Sequence, residues 1–445
     1  MMVRKGLVGA VAAVLAIGSA AWADDSGPCT CPSLSLASDT QVVAPQSQDV
    51  TDQPVLADEA AAAPAPRKPL MNALDKMGLA KPLDSIGLNI YGFVEAGYLY
   101  DATVPHNIKP GRIPPPGDEI YFPGPWKNQV MLDQLDLSIE RVVDASKGKF
   151  DIGFHVEAVY GRDAYFTHSD GMLDNDNHFP QHGEEVSFDL PQAYLTFAIP
   201  VGSGLTIKAG KFVTLFGIET INPTGNLLYT HSYEFSYGIP FTQTGILASY
   251  NLTDKLALTA GFTRGWNSST SDYNGAIDFL GEAVYTWSDK LSLTANLGIG
   301  PEYPQDNADY SVVPEVIAAY KLSDQLTVDG DVLYGFANNI SQWFGIAGYA
   351  GYTFSSMISL NGRIEYYHDG HGATSGGDGS GRDVNIWEAT AGVAVTPLPD
   401  NEWLRTLVIR PEVRFDWADE AMFDSFNASG KFNQFTVACD LIWSF

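Results

Sequence analysis

Polar or charged side chains alternate with apolar residues in many short segments of this chain. The segment 410–416 shows the pattern, because Arg410, Glu412, Arg414 and Asp416 are each separated by one apolar residue. In an extended strand, side chains two positions apart point to the same face. Such a segment therefore has one face that can hold ions and water and one face of hydrocarbon.

The charged faces of these segments predict a polar lumen. Eleven residues are predicted to line it: Glu95, Glu140, Glu157, Lys208, Glu282, Glu315, Arg363, Glu365, Arg410, Glu412 and Arg414. Acids outnumber bases in this set, and a negative lumen raises the local cation concentration and disfavours anions. Pairing between wall residues would weaken this preference, and the alternating signs within 410–416 fit such pairing.

No group of residues has the spacing of a catalytic motif or of a metal site. The chain contains no G-x-S-x-G, no H-E-x-x-H and no Gly-rich phosphate loop after a strand. Asp174, Asp176 and Glu185 match positions 1, 3 and 12 of a calcium loop, but position 6, which requires Gly, is Phe179. A solvated acidic loop is favoured, and we expect no catalytic residue, no metal and no cofactor.

Composition limits the class of partner. The 445 residues carry a formal net charge of −28, and 45% are hydrophobic while only 18% are charged. Because nucleic acid needs a basic protein surface, this charge argues against a nucleic-acid partner. The 43 Gly, 21 Tyr and 23 Phe are typical of a chain with many short strands and turns.

The alternation of apolar and polar residues begins at Leu88 and continues to Phe445. Each alternating segment is about as long as a tilted membrane-crossing strand, which needs about 9–11 residues. The segments predict sixteen strands: 88–100, 130–142, 148–160, 188–199, 205–216, 241–251, 255–266, 276–287, 290–300, 311–321, 325–336, 342–354, 357–368, 384–396, 406–417 and 431–445.

The connections between these strands are sorted by length. Those after even-numbered strands are short, whereas several after odd-numbered strands are long, such as 101–129, 161–187 and 217–240. This sorting is typical of outer-membrane barrels, and aromatic residues near strand ends, such as Trp287 and Trp417, fit an interfacial girdle. A soluble version would enclose a hollow apolar lumen. We predict an all-β, transmembrane, antiparallel up-and-down β-barrel of about sixteen strands.

The chain before the barrel divides into two segments. Residues 1–23 are typical of a cleaved export signal, with a basic start, an apolar run and an A-x-A site at 21–23. Residues 24–86 are a Pro/Ala-rich linker, predicted to be disordered and periplasmic, with a short amphipathic helix within 70–87. The outer-membrane barrel is predicted to occupy 87–445.

The third long loop, 217–240, is unusually rich in aromatic residues and poor in charge for an exposed loop. This composition indicates that the loop packs against another part of the protein. Two alternatives remain open: the loop folds into the barrel and constricts the lumen, or it packs against neighbouring loops or a partner subunit.

Several segments resemble one known family. They are "LNIYGFVEAGYLYDA", "NQVMLDQLDLSIERV", "GFHVEAVYGRDA", "LPQAYLTFAIP", "IKAGKFVTLFGIETINP" and "FTQTGILASY". They look like the putative β-barrel porin-2 family of OmpL-like outer-membrane proteins, and the resemblance covers most of residues 80–445. The resemblance implies an outer-membrane barrel that passes small solutes. The family has no assigned substrate and no catalytic residues that could be transferred to this chain.

Together these features predict a porin of the bacterial outer membrane through which small hydrophilic solutes diffuse passively, with a preference for cations. The expected partners are outer-membrane lipid, the solutes, and the barrel assembly machinery, which would recognise a last strand ending in Phe445. A homo-oligomer is compatible with the sequence. Two alternatives remain: a non-conducting barrel with a surface-binding or structural role, and an outer-membrane hydrolase, for which no nucleophile constellation is present.

Overall fold

Strands form at each of the sixteen places where the sequence alternates. In the computed structural model they are β1 Leu88–Asp101, β2 Val130–Arg141, β3 Asp151–Gly161, β4 Ser187–Ile199, β5 Leu205–Val213, β6 Thr242–Thr253, β7 Leu256–Thr263, β8 Asp278–Ser288, β9 Leu291–Pro301, β10 Tyr310–Lys321, β11 Leu326–Ala337, β12 Ser341–Ser355, β13 Ile358–Asp369, β14 Val384–Val395, β15 Leu407–Ala418 and β16 Asn433–Ser444.

The structure describes residues 68–103, 128–171, 186–272, 274–302, 307, 310–337, 341–370, 383–423 and 431–445. Three predictions concern residues outside these ranges: the export signal, the linker as far as residue 67, and the acidic loop positions Asp174, Asp176 and Glu185.

The sheet closes on itself. Each strand pairs antiparallel with its sequence neighbours, and β1 pairs with β16. At this seam Phe93 lies opposite Ser444, and Phe445 and Gly92 exchange two backbone hydrogen bonds of 2.8 and 3.1 Å. A closed barrel leaves no edge of unpaired N–H and C=O groups, which hydrocarbon could not satisfy. The predicted antiparallel up-and-down barrel is therefore confirmed.

The two faces of the barrel wall differ as the sequence predicts. In β7, Leu258 and Phe262 point outward and are 37% and 62% exposed, whereas Thr259 points inward and is buried. Large aromatic side chains, including Trp287 and Trp417, are exposed on the outer surface near strand ends. This is the distribution of a lipid-facing band with interfacial aromatics.

Strand ends differ from the predicted ones by a few residues, and two differences matter for the lumen. β5 stops at Val213, so 214–216 belong to the following loop. Trp266 was predicted at the end of the strand 255–266, but it lies beyond the end of β7 and packs edge-on against Trp343, with ring centroids 6.1 Å apart. Alternation alone does not distinguish a strand end from a loop that turns inward.

Short helices precede the barrel, as predicted, but there are two rather than one: α1 Pro69–Lys76 and α2 Ala80–Ser85. Gly78 lies between them with φ +75°, a left-handed conformation that Gly adopts easily and that ends the first helix. A third helix, α3 Ala164–Thr167, is a single turn after β3. Within the described ranges, no helix has the length and apolar character needed to span a membrane.

Candidate functional site: the loop inside the barrel

The connection between β5 and β6, residues 214–241, enters the barrel, and we call it L3. Most of L3 is buried, including Phe216 and Tyr233. These rings join inward side chains of the wall, such as Leu247 and Leu333, in one apolar cluster. Removal of this apolar surface from water favours the inserted position. Of the two alternatives that the sequence left open, the structure has the loop folded into the barrel.

Carboxylates of the barrel wall bind backbone N–H groups of L3. The N–H groups of Tyr229 and Thr230 donate to Glu412 on β15, at 2.7 and 3.1 Å. The N–H of Gly217 donates to both carboxylate oxygens of Glu315 on β10, at 3.0 and 3.1 Å. A buried loop has no sheet partner for its N–H groups, and a carboxylate is a strong acceptor for them. The wall acids therefore hold L3 in place.

Arginines of the wall bind the carbonyl groups of L3 in the same way. Arg410 donates to the carbonyls of Pro223 and Asn226, at 3.0 and 2.6 Å, and Arg414 donates to the carbonyl of His231. A guanidinium carries five N–H donors in one plane. Each arginine can therefore bind L3 and a wall carboxylate together.

Arg363 on β13 joins L3 to two acids. It donates to the carbonyl of Thr230 (2.7 Å) and to Glu388 on β14 (2.9 Å), and it also pairs with Glu219 of L3. Burial alone would raise the pKa of Glu219, but Arg363 reverses this effect and holds that pKa below its usual value. Glu219 is thus an ionised anchor of L3.

The charged residues of 410–416 form ion pairs both within β15 and with the neighbouring strand β16. Arg414 pairs with Asp416 on the same strand (2.8 Å between Nη2 and Oδ1). Arg410 instead pairs with Asp440 on β16, with its Nε 3.1 Å from both carboxylate oxygens. Since Arg410, Glu412 and Arg414 also contact L3, the alternating signs serve loop docking as well as pairing within the wall.

Glu234 of L3 is a buried acid that packs against the barrel wall. Its backbone N–H and that of Tyr233 donate to Glu365, both at 2.7 Å. Its side chain packs over Gly345 of β12, where a Cβ atom would overlap it. Among the described residues, neither carboxyl oxygen of Glu234 has a hydrogen-bond partner. Burial raises the pKa of Glu234 well above its usual value, and the charges of Asp331 and Glu365 raise it further.

His231 does not supply a positive charge to offset these acids. It is buried and stacks on Phe235, with ring centroids 4.2 Å apart. Burial lowers the pKa of His231 to about 4. The ring is therefore neutral at physiological pH.

A family model described as "Putative beta-barrel porin-2, OmpL-like" matches residues 87–445. The chain belongs to this family. The family and the closed barrel identify the protein as a bacterial outer-membrane porin, which confirms both the resemblance and the location predicted from the sequence. No curated protein matches the sequence.

Solved porins have the same fold as this porin-2 barrel. The anion-selective porin from Comamonas acidovorans is similar with a TM-score of 0.51 and 10% identity, over 80% of this chain and 99% of that one. OmpF from Salmonella typhi, in a complex with daunomycin, has a TM-score of 0.54 and 12% identity, over 81% and 99%. OprB from Pseudomonas putida, in a high-pH structure, has a TM-score of 0.51 and 13% identity, over 83% and 97%. At these identities the likeness concerns the fold alone.

Of the eleven predicted lining residues of the porin, most are buried. Nine of them have 5% or less of their surface exposed: Glu95, Glu140, Glu157, Glu315, Arg363, Glu365, Arg410, Glu412 and Arg414. Six of these nine contact L3 directly. Lys208 and Glu282 are only partly buried. The Lys208 ammonium lies 4.6 Å from the ring centroid of Tyr194, and Lys208 attracts Glu282 electrostatically.

The sequence pattern missed one group of L3 contacts. Tyr229 donates through its hydroxyl to Asp133 of β2 (2.9 Å), and Arg162 binds both residues. Asp133 is the extra residue of a β-bulge, because the pairing of β2 with β1 shifts beside it. The bulge lets Asp133 and its neighbour Gln134 both be buried. The adjacent polar residues Asp133 and Gln134 interrupt the alternation of β2, and this interruption was the sequence signal that could have indicated the bulge.

Acidic residues do not converge as a metal site in the part of the chain that is described: no three Asp, Glu, His or Cys side chains there have a suitable arrangement. The acids that bind L3, such as Glu315, Glu365 and Glu412, lie on different strands.

Proposed function

We propose that this outer-membrane porin lets small hydrophilic solutes diffuse passively and that it prefers cations. Family membership supports the transport class. The preference for cations is carried by one observation, the surplus of acids on the inner face. The predicted lining set contains seven acids and four bases, and L3 adds Glu219 and Glu234. A negative potential along a narrow path enriches cations and repels anions.

The passage that we propose runs beside β5 and β8. Lys208 on β5 and Glu282 on β8 keep part of their surface exposed, whereas the other nine predicted lining residues are buried. An ion that follows this path would meet both signs of charge. Selectivity would then depend on the balance between these two residues and the surrounding acids.

The packing of L3 favours a second candidate function. L3 is bound to the wall through both its N–H groups and its carbonyl groups, and most of its residues are buried. A barrel filled in this way is compatible with a non-conducting protein whose outer loops bind a surface partner or which has a structural role.

Planar-bilayer recording of the purified barrel separates the two candidates. We expect discrete conductance steps, and under a KCl gradient a reversal potential of the sign that cation flow produces. A reversal potential of the opposite sign would refute the cation preference while leaving passive diffusion intact. Absence of steps at every voltage would refute passive diffusion and favour the second candidate.

We further propose that the apolar outer face contacts outer-membrane lipid and that the barrel assembly machinery inserts the chain. We propose no reaction, no cofactor and no nucleic-acid partner for this protein.

A further inference from the structure

Acids from four elements surround the Glu234 side chain. Glu234 itself is 96% buried, since only 4% of its surface is exposed. The neighbouring strand β12 contributes Gly345, which carries no charge, and the phenol of Tyr349. The acids that act on Glu234 are Asp331 of β11, Glu365 of β13, Glu315 of β10 and Glu219 of L3.

The arginine on this part of the wall is already bound. Arg363 lies two positions before Glu365 on β13 and binds Glu219 and Glu388. Among the described residues, both carboxyl oxygens of Glu234 lack a hydrogen-bond partner, and so does Oδ1 of Asp331. An ionised carboxylate buried in this way, beside like charges, is strongly disfavoured.

The buried negative charge is removed more easily by a proton on Glu234 than by a proton on Glu365 or Glu315. Glu365 accepts two backbone N–H groups, and Glu315 accepts the N–H of Gly217 and the amide of Asn296. Hydrogen bonds of this kind favour the charged form of a carboxyl group. Glu234 accepts none among the described residues. A proton on Glu234 removes the buried negative charge that has no hydrogen-bond donor among the described residues.

We propose that L3 is a pH-operated gate: a proton on Glu234 keeps L3 docked on β10–β13, and loss of that proton at alkaline pH releases L3 and widens the passage. The inference rests on the proposed function for its effect on conductance. It concerns the position of L3, which can also be measured without conductance.

The direction of the pH effect follows from the environment of Glu234. Its pKa is raised above the ordinary value of 4.5 when L3 is docked, so the docked state binds the proton more tightly than the released state does. The contribution of this group to docking is fully present below pH 4.5 and is lost as the pH rises through the higher pKa of the docked state. Acid therefore favours the closed position, and alkali favours the open one.

L3 can move without breaking the barrel. The strand pairs that close the sheet include no residue of L3. Near the start of L3, Gly217 has φ +88°, a conformation that most residues disfavour, and its N–H is bound to Glu315. This position is suited to act as the hinge when the docking contacts weaken.

The test is conductance of the full-length porin in planar bilayers between about pH 6 and about pH 10. We expect the wild-type open fraction to rise with pH, by at most about tenfold per pH unit, because one proton is involved. Glu234→Gln keeps the shape and burial of the side chain without its charge, so it should stay at the low-pH level throughout. Glu402→Gln is the matched control, because this exposed acid lies between β14 and β15 and pairs with Lys76 of α1. It should keep the wild-type profile.

Hydrogen–deuterium exchange of peptides from 215–240, corrected for the intrinsic effect of pH, gives an independent measurement. We expect protection of L3 to fall with pH in the wild type and to persist in Glu234→Gln. The gate is refuted if L3 protection does not change with pH, or if Glu234→Gln follows the wild-type profile. If protection of L3 behaves as expected but no pH gives conductance, the proposed passive diffusion fails, whereas the proton-dependent docking of L3 stands. A heat-modifiable gel shift for each variant verifies that the barrel has formed.

Discussion

Arg363 illustrates what single residues do inside this barrel. Its side chain is fully buried, and it binds Glu388, Glu219 and the carbonyl of Thr230. Burying a charge is costly unless every part of it is paired. The main contribution of Arg363 to stability is therefore to neutralise Glu219 and Glu388. Without it, both acids would be buried without a counter-charge.

We predict that Arg363→Met destabilises the barrel by about 3–5 kcal/mol, because Glu219 and Glu388 would lose their cation. The measurement is the free energy of unfolding in urea, in detergent. Lys321→Met is the control: Lys321 pairs with Asp324 at 3.1 Å, but their side chains are 43% and 95% exposed, so we expect at most about 1 kcal/mol. Equal effects of the two variants would contradict the buried role of Arg363.

At the scale of elements, the strands and L3 have separate tasks. The strands form the closed ladder, and their register involves no residue of L3. L3 binds to the inner surface of that ladder through residues of β10, β13 and β15. A barrel of sixteen strands encloses more space than wall side chains can fill. L3 fills part of that space.

We predict that replacing 218–238 with a short Gly-Ser linker leaves the barrel assembled and increases conductance several-fold. The strand ladder does not need L3, but the lumen loses the side chains that fill it. Single-channel recording measures the conductance, and the heat-modifiable gel shift monitors assembly of the same variant. Unchanged conductance in a correctly assembled barrel would show that L3 does not limit the passage.

At the scale of the whole molecule, closure depends on the β1–β16 seam. These strands are the most distant in the sequence, yet they pair from Phe93–Ser444 to Asp101–Thr436. Phe445 extends the seam by two backbone hydrogen bonds with Gly92, and its ring lies 5.4 Å from that of Trp443. An open seam would expose two strand edges to hydrocarbon.

We predict that deleting Phe445 or changing it to Asp lowers the amount of assembled barrel more than it alters the conductance of the barrels that do form. The fraction with a heat-modifiable gel shift in outer-membrane preparations measures assembly. Phe432→Asp is the control, since Phe432 is an exposed aromatic residue at the other end of β16. Wild-type yield from the Phe445 variants would refute the role of this residue in closing the seam.

Particular residues separate what could be predicted from what could not. The outer face of β7, with Leu258 and Phe262, could be predicted because alternation along a strand is a local property. Asp133 was missed because one extra residue in β2 reverses the parity. Alternation predicted Glu365 and Glu412 as lining residues, but it did not indicate that they would bind backbone N–H groups of L3.

The sequence by itself determined the barrel: the number and position of the strands, the inner and outer faces, and the sorting of short turns from long loops. These follow from local alternation and from the demand of lipid that every backbone group be paired. Only the tertiary structure decided where L3 lies and which charges it covers. Its contacts join residues far apart in the sequence, such as Gly217 and Glu315, 98 positions apart, and Tyr229 and Glu412, 183 positions apart. Such contacts depend on the closed shape of the wall, which no local pattern encodes.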